Sequence, residues 1–97
     1  MATNLPAPQD LHGETDLALR QVLRDVLGLS DARVAALEAD AGLFGDIPEL
    51  DSMAVAGLLT ELEDRLGILI ADDDVDGDML ATYGALLHFL MDKRAGG

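Results

Sequence analysis

Apolar residues recur at three- and four-residue intervals in three stretches of the chain, and each stretch predicts an amphipathic helix. In the first, Leu19, Val22, Leu23, Val26 and Leu27 fall on one face. Thr15 or Asp16 is placed to cap its start, and Gly28 stands where a left-handed helix end is usual. The second opens at Asp51-Ser52, runs to Leu66 and stops at Gly67. Val55, Leu58, Leu59, Leu62 and Leu66 line its inner face, while Ala54, Gly57, Glu61 and Asp64 lie largely on the other. The third follows a Thr82 cap, with Tyr83, Leu86, Leu87, Leu90 and Met91 inward. Lys93 and Arg94 sit at its C-terminal end, where positive charge complements the helix dipole.

The intervening segments read differently. Residues 1–13 hold Pro6, Pro8 and Gly13 without periodicity and are expected to be a flexible N-terminal tail before a domain of residues 14–94. Ser30 to Glu38 predicts a further turn of helix with Val34 and Leu37 inward. Ala39 to Leu50 is a connecting loop anchored by Leu43, Phe44 and Ile47, and a loop this long is often functional. Ile68-Leu69-Ile70 has no partner strand and reads as an extended linker packed on the core. Asp72 to Gly77 is an acidic loop, and Asp78 to Ala81 reads as a short helical turn. The expected fold is all-α, a small bundle of three main helices plus one or two short helical turns.

Composition narrows the function. At 97 residues the chain makes one domain, and a 49% hydrophobic content can build a core. Phe44, Tyr83 and Phe89 are the only aromatics, so that core is aliphatic. The net charge of −13 repels nucleic acid and anionic lipid. The absence of cysteine excludes disulfides, zinc thiolates and cysteine nucleophiles, and any thioester chemistry needs a sulfur from outside. The start has no signal-peptide pattern, and no stretch reaches the ~20 apolar residues of a membrane span. A cytoplasmic monomer is expected.

Candidate chemistry centres on Leu50-Asp51-Ser52-Met53, a serine at the mouth of a helix after a long loop. With Asp51 as cap, a phosphate on Ser52 would face free N–H groups and the positive end of the helix dipole. The plainer reading of Ser52 is part of a helix cap. Asp72-x-Asp74-x-Asp76-Gly77 mimics the start of a calcium loop, but Tyr83 stands where the bidentate Glu belongs. A solvated acidic loop with no metal is expected. A triad of Ser52, His88 and an Asp lacks the Gly-x-Ser-x-Gly elbow. No catalytic residue is assigned, and the chain is not expected to be an enzyme.

Asp51-Ser52-Met53 resembles the Asp-Ser-(Leu or Met) modification motif of the acyl carrier proteins. The resemblance extends over roughly residues 16–94: the first helix, the long loop, the acidic second helix Leu58-Leu59-Thr60-Glu61-Leu62-Glu63-Asp64-Arg65-Leu66-Gly67-Ile68, the acidic linker and the Thr82 helix start. It implies that Ser52, flanked by Asp51 and Met53, is esterified by 4′-phosphopantetheine from coenzyme A. The thiol of that arm would carry an acyl or aminoacyl group as a thioester. The implied partners are a phosphopantetheinyl transferase, an acyl- or aminoacyl-loading ligase and downstream acyl-using enzymes.

Within the family, Glu49-Leu50-Asp51-Ser52 departs from the Gly-Gly-x-Ser of peptidyl carriers. Leu-Asp-Ser-Met is similar to the D-alanyl carrier proteins. Pro48 to Val55 with Leu66-Gly67-Ile68 resembles stand-alone carriers of bacterial exosortase and exopolysaccharide gene clusters. Ala54 and Gly57 stand where fatty-acid-synthase carriers have acidic or polar residues, which implies a dedicated partner. Ala54, Gly57, Glu61 and Asp64 are the expected partner-binding residues, the acids docking on a basic groove. The alternative is an acidic interaction module without a prosthetic group.

Overall fold

Gly28, at φ +71°, ends the first helix, and its N–H closes on the Arg24 carbonyl at 2.9 Å. In the computed structural model, which describes residues 10–96, that helix is α1, Asp10–Leu27. A short α2, Asp31–Ala35, follows, capped by the Ser30 hydroxyl, which accepts the Arg33 N–H. The long loop leads to α3, Ser52–Leu66, closed by Gly67 at φ +65°. A single 3-10 turn spans Asp72–Asp74, and α4 covers Tyr83–Arg94 behind its Thr82 cap. Among the described residues the molecule is an all-α bundle of three long helices with two short helical pieces. Asp78 to Ala81 forms a hydrogen-bonded turn rather than a helix.

The core follows the helical stripes. Leu19, Val22 and Leu23 of α1, Leu58 and Leu62 of α3, and Leu86 and Leu90 of α4 are fully buried, joined by Tyr83 and by Leu43, Ile47 and Leu50 of the loop. Val34 is buried and Leu37 half-buried, both inward. Ile68 and Ile70 pack partly, but Leu69 points out at 84% exposure. Phe44 corrects an expectation: it is 45% exposed, because Leu43 and Ile47 already fill the space beneath the loop. No helix among the described residues is long and apolar enough to cross a membrane.

The start of α1 is a second correction. Thr15 and Asp16 do not cap the helix, which begins at Asp10; they lie inside it. Thr15 is fully buried, its Oγ1 donating to the Leu11 carbonyl at 2.6 Å and accepting from Arg94 Nη1 at 3.0 Å. A hydroxyl that finds the i−4 carbonyl and a distant guanidinium is satisfied without a free N–H to cap. The expected tail of residues 1–13 therefore loses its last four positions to α1; residues 1–9 lie outside the described residues.

Asp16 ties the helices together. Its Oδ1 accepts from the Tyr83 hydroxyl at 2.5 Å and its Oδ2 from Arg20 Nε at 3.0 Å. The Arg20 guanidinium lies 4.6 Å from the centre of the Tyr83 ring and donates to the carbonyls of Val34 and Leu37, closing off the end of α2. Burial works to raise the Asp16 pKa, but the Tyr83 and Arg20 hydrogen bonds outweigh it and hold the carboxyl below its ordinary 3.8. Burial first, and the Asp16 carboxylate second, push the Tyr83 hydroxyl well above its ordinary 10.

The signs then follow. Asp16 contributes stability above pH 3.8 that is lost as pH falls through its lowered value. Tyr83 contributes stability below pH 10 that is lost as pH rises toward its raised value. Urea unfolding of Tyr83→Phe is expected to show a loss of roughly 1–3 kcal/mol at neutral pH. The gap to the wild type should narrow at both extremes, below pH 3.8 and above pH 10.

Candidate functional site

The mouth of α3 is positioned by a distant stretch of backbone. Leu43 N–H donates to the Ala81 carbonyl at 2.9 Å and Phe44 N–H to Leu80 at 3.0 Å. In return, Tyr83 N–H donates to Ala41 at 2.9 Å and Gly84 N–H to Ala39 at 2.8 Å. An isolated antiparallel bridge pairs Gly42 with Thr82 at the centre of this clip. The loop then turns on itself, Asp46 and Ile47 N–H both reaching the Leu43 carbonyl, and Leu50 plugs into the core. On the outside, Arg33 of α2 grips Glu49 through both terminal nitrogens, at 2.7 and 3.3 Å. That pairing holds the Glu49 carboxyl below the usual range.

Asp51 comes next, extended at φ −95° and ψ −177°, with its Oδ1 accepting the Ala54 N–H at 2.8 Å. Ser52 is the first helical residue and is exposed; Met53 is 85% exposed. The N–H groups of Ser52 and Met53 have no acceptor among the described residues, as expected in a first helical turn. The chain has two serines, and they differ in one respect: the Ser30 hydroxyl is engaged as a cap, whereas the Ser52 hydroxyl is open.

Ser52, Ala56, Leu59 and Glu63 form one stripe along α3, and Val55 and Thr60 flank it. Facing them are Ile70, Asp72 and Val75, and between the two walls lies an open groove of about 470 Å³. Glu63 joins the walls, its Oε2 accepting the Ile70 N–H at 2.7 Å. Lys93 of α4 holds the far wall from outside, 2.7 Å from Asp74. The resulting site is an exposed hydroxyl, free helix N–H groups and a largely apolar channel that starts beside them. These fit a phosphodiester on Ser52 and a flexible arm laid along α3.

The expected partner-binding residues do not share one face with Ser52. Ala54, Gly57 and Glu61 lie on the side of α3 turned to α1. A Cβ on Gly57 would stand 3.8 Å from Val26, and Glu61 is bound to Arg65 at 2.9 Å. Arg65 in turn holds Asp25 of α1 at 2.9 Å, and Asp25 also pairs with Arg24. Asp64 is exposed on the outward face with Met53 and Thr60. Of the groove-lining residues, Ala56 is open to close approach by a partner or acyl chain on the sequence alone and Asp72 reads there as part of the acidic loop, whereas Val55, Thr60, Ile70 and Val75 carry no site signal; the stripe spacing marks one wall, but nothing local marks the other. In the acidic loop, Asp74 also accepts the Ala71 N–H, and Asp76 caps the Met79 N–H, so both serve the local fold. His88 is exposed on α4, beside Asp92.

Comparison with known proteins places this geometry. A family model described as a phosphopantetheine attachment site matches residues 17–90. The solution NMR structure of a holo acyl carrier protein from Nitrosomonas europaea is similar over 90% of this chain and 98% of that one, at 37% identity and a TM-score of 0.74. No curated protein matches the chain.

Two glycines test the packing around the site. A Cβ on Gly84 would meet the Ala39 carbonyl at 2.8 Å, inside the backbone clip, whereas Gly57 has room. Gly84→Ala should cost about 1–3 kcal/mol. Gly57→Ala, in a helix interior, should stabilise by about 0.5–1 kcal/mol. Urea denaturation of the two variants is expected to move the midpoint in opposite directions.

Proposed function

This chain belongs to the phosphopantetheine-attachment family of acyl carrier proteins and is a carrier of 4′-phosphopantetheine; from that premise we propose that Ser52 is the attachment point, flanked by Asp51 and Met53. The supporting observation is the contrast between the serines: Ser30 is engaged as a cap, and Ser52 stands open at the start of a helix and of a groove. When bound, the arm supplies a thiol that holds an acyl or aminoacyl group as a thioester. That thiol is a group the cysteine-free chain lacks.

The chain's residues do the positioning. Asp51 fixes the first turn of α3, so the Ser52 Oγ is offered from a rigid element. The free N–H groups of Ser52 and Met53 lie at the positive end of the helix, where a phosphodiester is favoured. On attachment, a P–O bond forms at Oγ, the pyrophosphate bond of coenzyme A breaks and the adenosine bisphosphate leaves. The transferase accepts the serine proton. Every Lys and Arg of this chain sits in an ion pair, and none lines the groove beside Ser52. An arm held at one point by backbone amides is free to swing.

Carrier families are generally non-catalytic, and this reading makes the chain a substrate and shuttle rather than an enzyme. Its partners are a phosphopantetheinyl transferase, an acyl- or aminoacyl-loading ligase and acyl-using enzymes, met by a cytoplasmic monomer. Exposed Met53, Thr60 and Asp64 offer those partners one face of α3. Glu61 and Gly57 contribute from the α1 side.

Incubation with coenzyme A and a phosphopantetheinyl transferase should add one phosphopantetheinyl group, read by intact-mass spectrometry. Ser52→Ala should gain nothing and should keep its helical circular dichroism. A wild type that stays unmodified with several transferases would overturn the assignment.

A further inference from the structure

Resting on the reading of Ser52 as the attachment point, we propose that the groove beside it sorts cargo by charge. It holds acyl groups that are uncharged or carry an ammonium, and it refuses those that end in a carboxylate.

The floor of the groove is apolar, with Val55, Ala56 and Leu59 on α3 and Ile70 and Val75 opposite. A short alkyl chain folded back from the arm buries its surface there. The polar groups at its margins are the Thr60 hydroxyl and the carboxylates of Glu63 and Asp72. Glu63 lies about 16 Å along α3 from Ser52 at the ordinary helical rise. One of its oxygens is fixed by the Ile70 N–H at 2.7 Å, which aims the side chain across the channel. Its other oxygen, and both oxygens of Asp72, have no hydrogen-bond partner among the described residues.

No lysine or arginine lines the groove. Lys93 is engaged just outside that lining, held at 2.7 Å by the Asp74 carboxylate. A cargo carboxylate laid in this groove would face two like charges, Glu63 and Asp72, with no counter-ion beside them, an arrangement that disfavours the charged form there. An uncharged chain meets no such barrier. An ammonium finds acceptors with oxygens to spare.

The test loads the full chain from acyl-coenzyme A with a transferase that accepts such donors, using butyryl, β-alanyl and succinyl groups. Intact mass reports loading, and amide chemical shifts of Ala56, Leu59, Ile70 and Val75 report occupancy relative to the unacylated holo form. Butyryl and β-alanyl are expected to shift those amides, and succinyl to leave them at their holo positions. In Glu63→Gln combined with Asp72→Asn, where the glutamine carbonyl can still accept from Ile70, succinyl should shift them too. Failure to load any group would overturn the Ser52 assignment itself. Successful loading with equal shifts for all three groups, no shift for any, or continued exclusion of succinyl by the double variant would overturn only the charge sorting.

Discussion

The backbone clip between residues 39–44 and 80–84 fixes where α3 begins. The Leu43–Ala81, Phe44–Leu80, Tyr83–Ala41 and Gly84–Ala39 hydrogen bonds hold a long irregular loop against the start of α4. Because those amides are paired with backbone, the loop can carry polar main chain next to the core without leaving groups unsatisfied. Gly84 permits the close approach, since any side chain there would strike the Ala39 carbonyl. With Leu43, Ile47 and Leu50 buried beneath, the chain reaches Asp51 in one conformation and starts a helix with Ser52 facing out. The rigidity of the offered hydroxyl comes from contacts far from it in sequence.

Charge is arranged with the same economy. The six basic residues face nineteen acids, and each basic residue is tied to a carboxylate. Several of these pairs join different elements: Arg33 links α2 to the loop before Ser52, Arg65 links α3 to α1, and Lys93 links α4 to the 3-10 turn. The exposed pairs are individually weak and sensitive to salt. Their collective effect is to leave a surface of unpaired acids and no spare positive charge. A phosphodiester at Ser52 lies at helix amides, and the only charged groups lining the adjoining groove are carboxylates.

Much of this architecture was legible in the sequence because it rests on local signals. Asp51, Gly67 and Thr82 mark helix ends by side-chain chemistry or left-handed backbone, and the structure places α3 and α4 where those residues put them. Thr15 misled because its hydroxyl is satisfied by Leu11 and Arg94, and the second of these is a tertiary contact with no trace in the local pattern. Phe44 misled because hydrophobicity alone does not say which of two adjacent apolar residues the loop turns inward. Gly57, exposed, and Glu61, half-buried, lie on the flank of α3 beside α1, a placement set by how α3 packs and unmarked in the local pattern. The groove is the least legible feature, since the contacts that tie its far wall, Ile70 to Val75, to α3 and α4, a Glu63 hydrogen bond and a Lys93 ion pair, are tertiary.

The central claim is that one open hydroxyl, among several in the chain, receives the arm. Fragmentation mass spectrometry of the protein isolated in its modified form tests this directly by locating the added phosphodiester along the sequence. The account predicts the group on the fragment that contains Ser52, with Ser30 and Thr60 unmodified. A group on Ser30, whose hydroxyl caps α2, or on any other residue would contradict it.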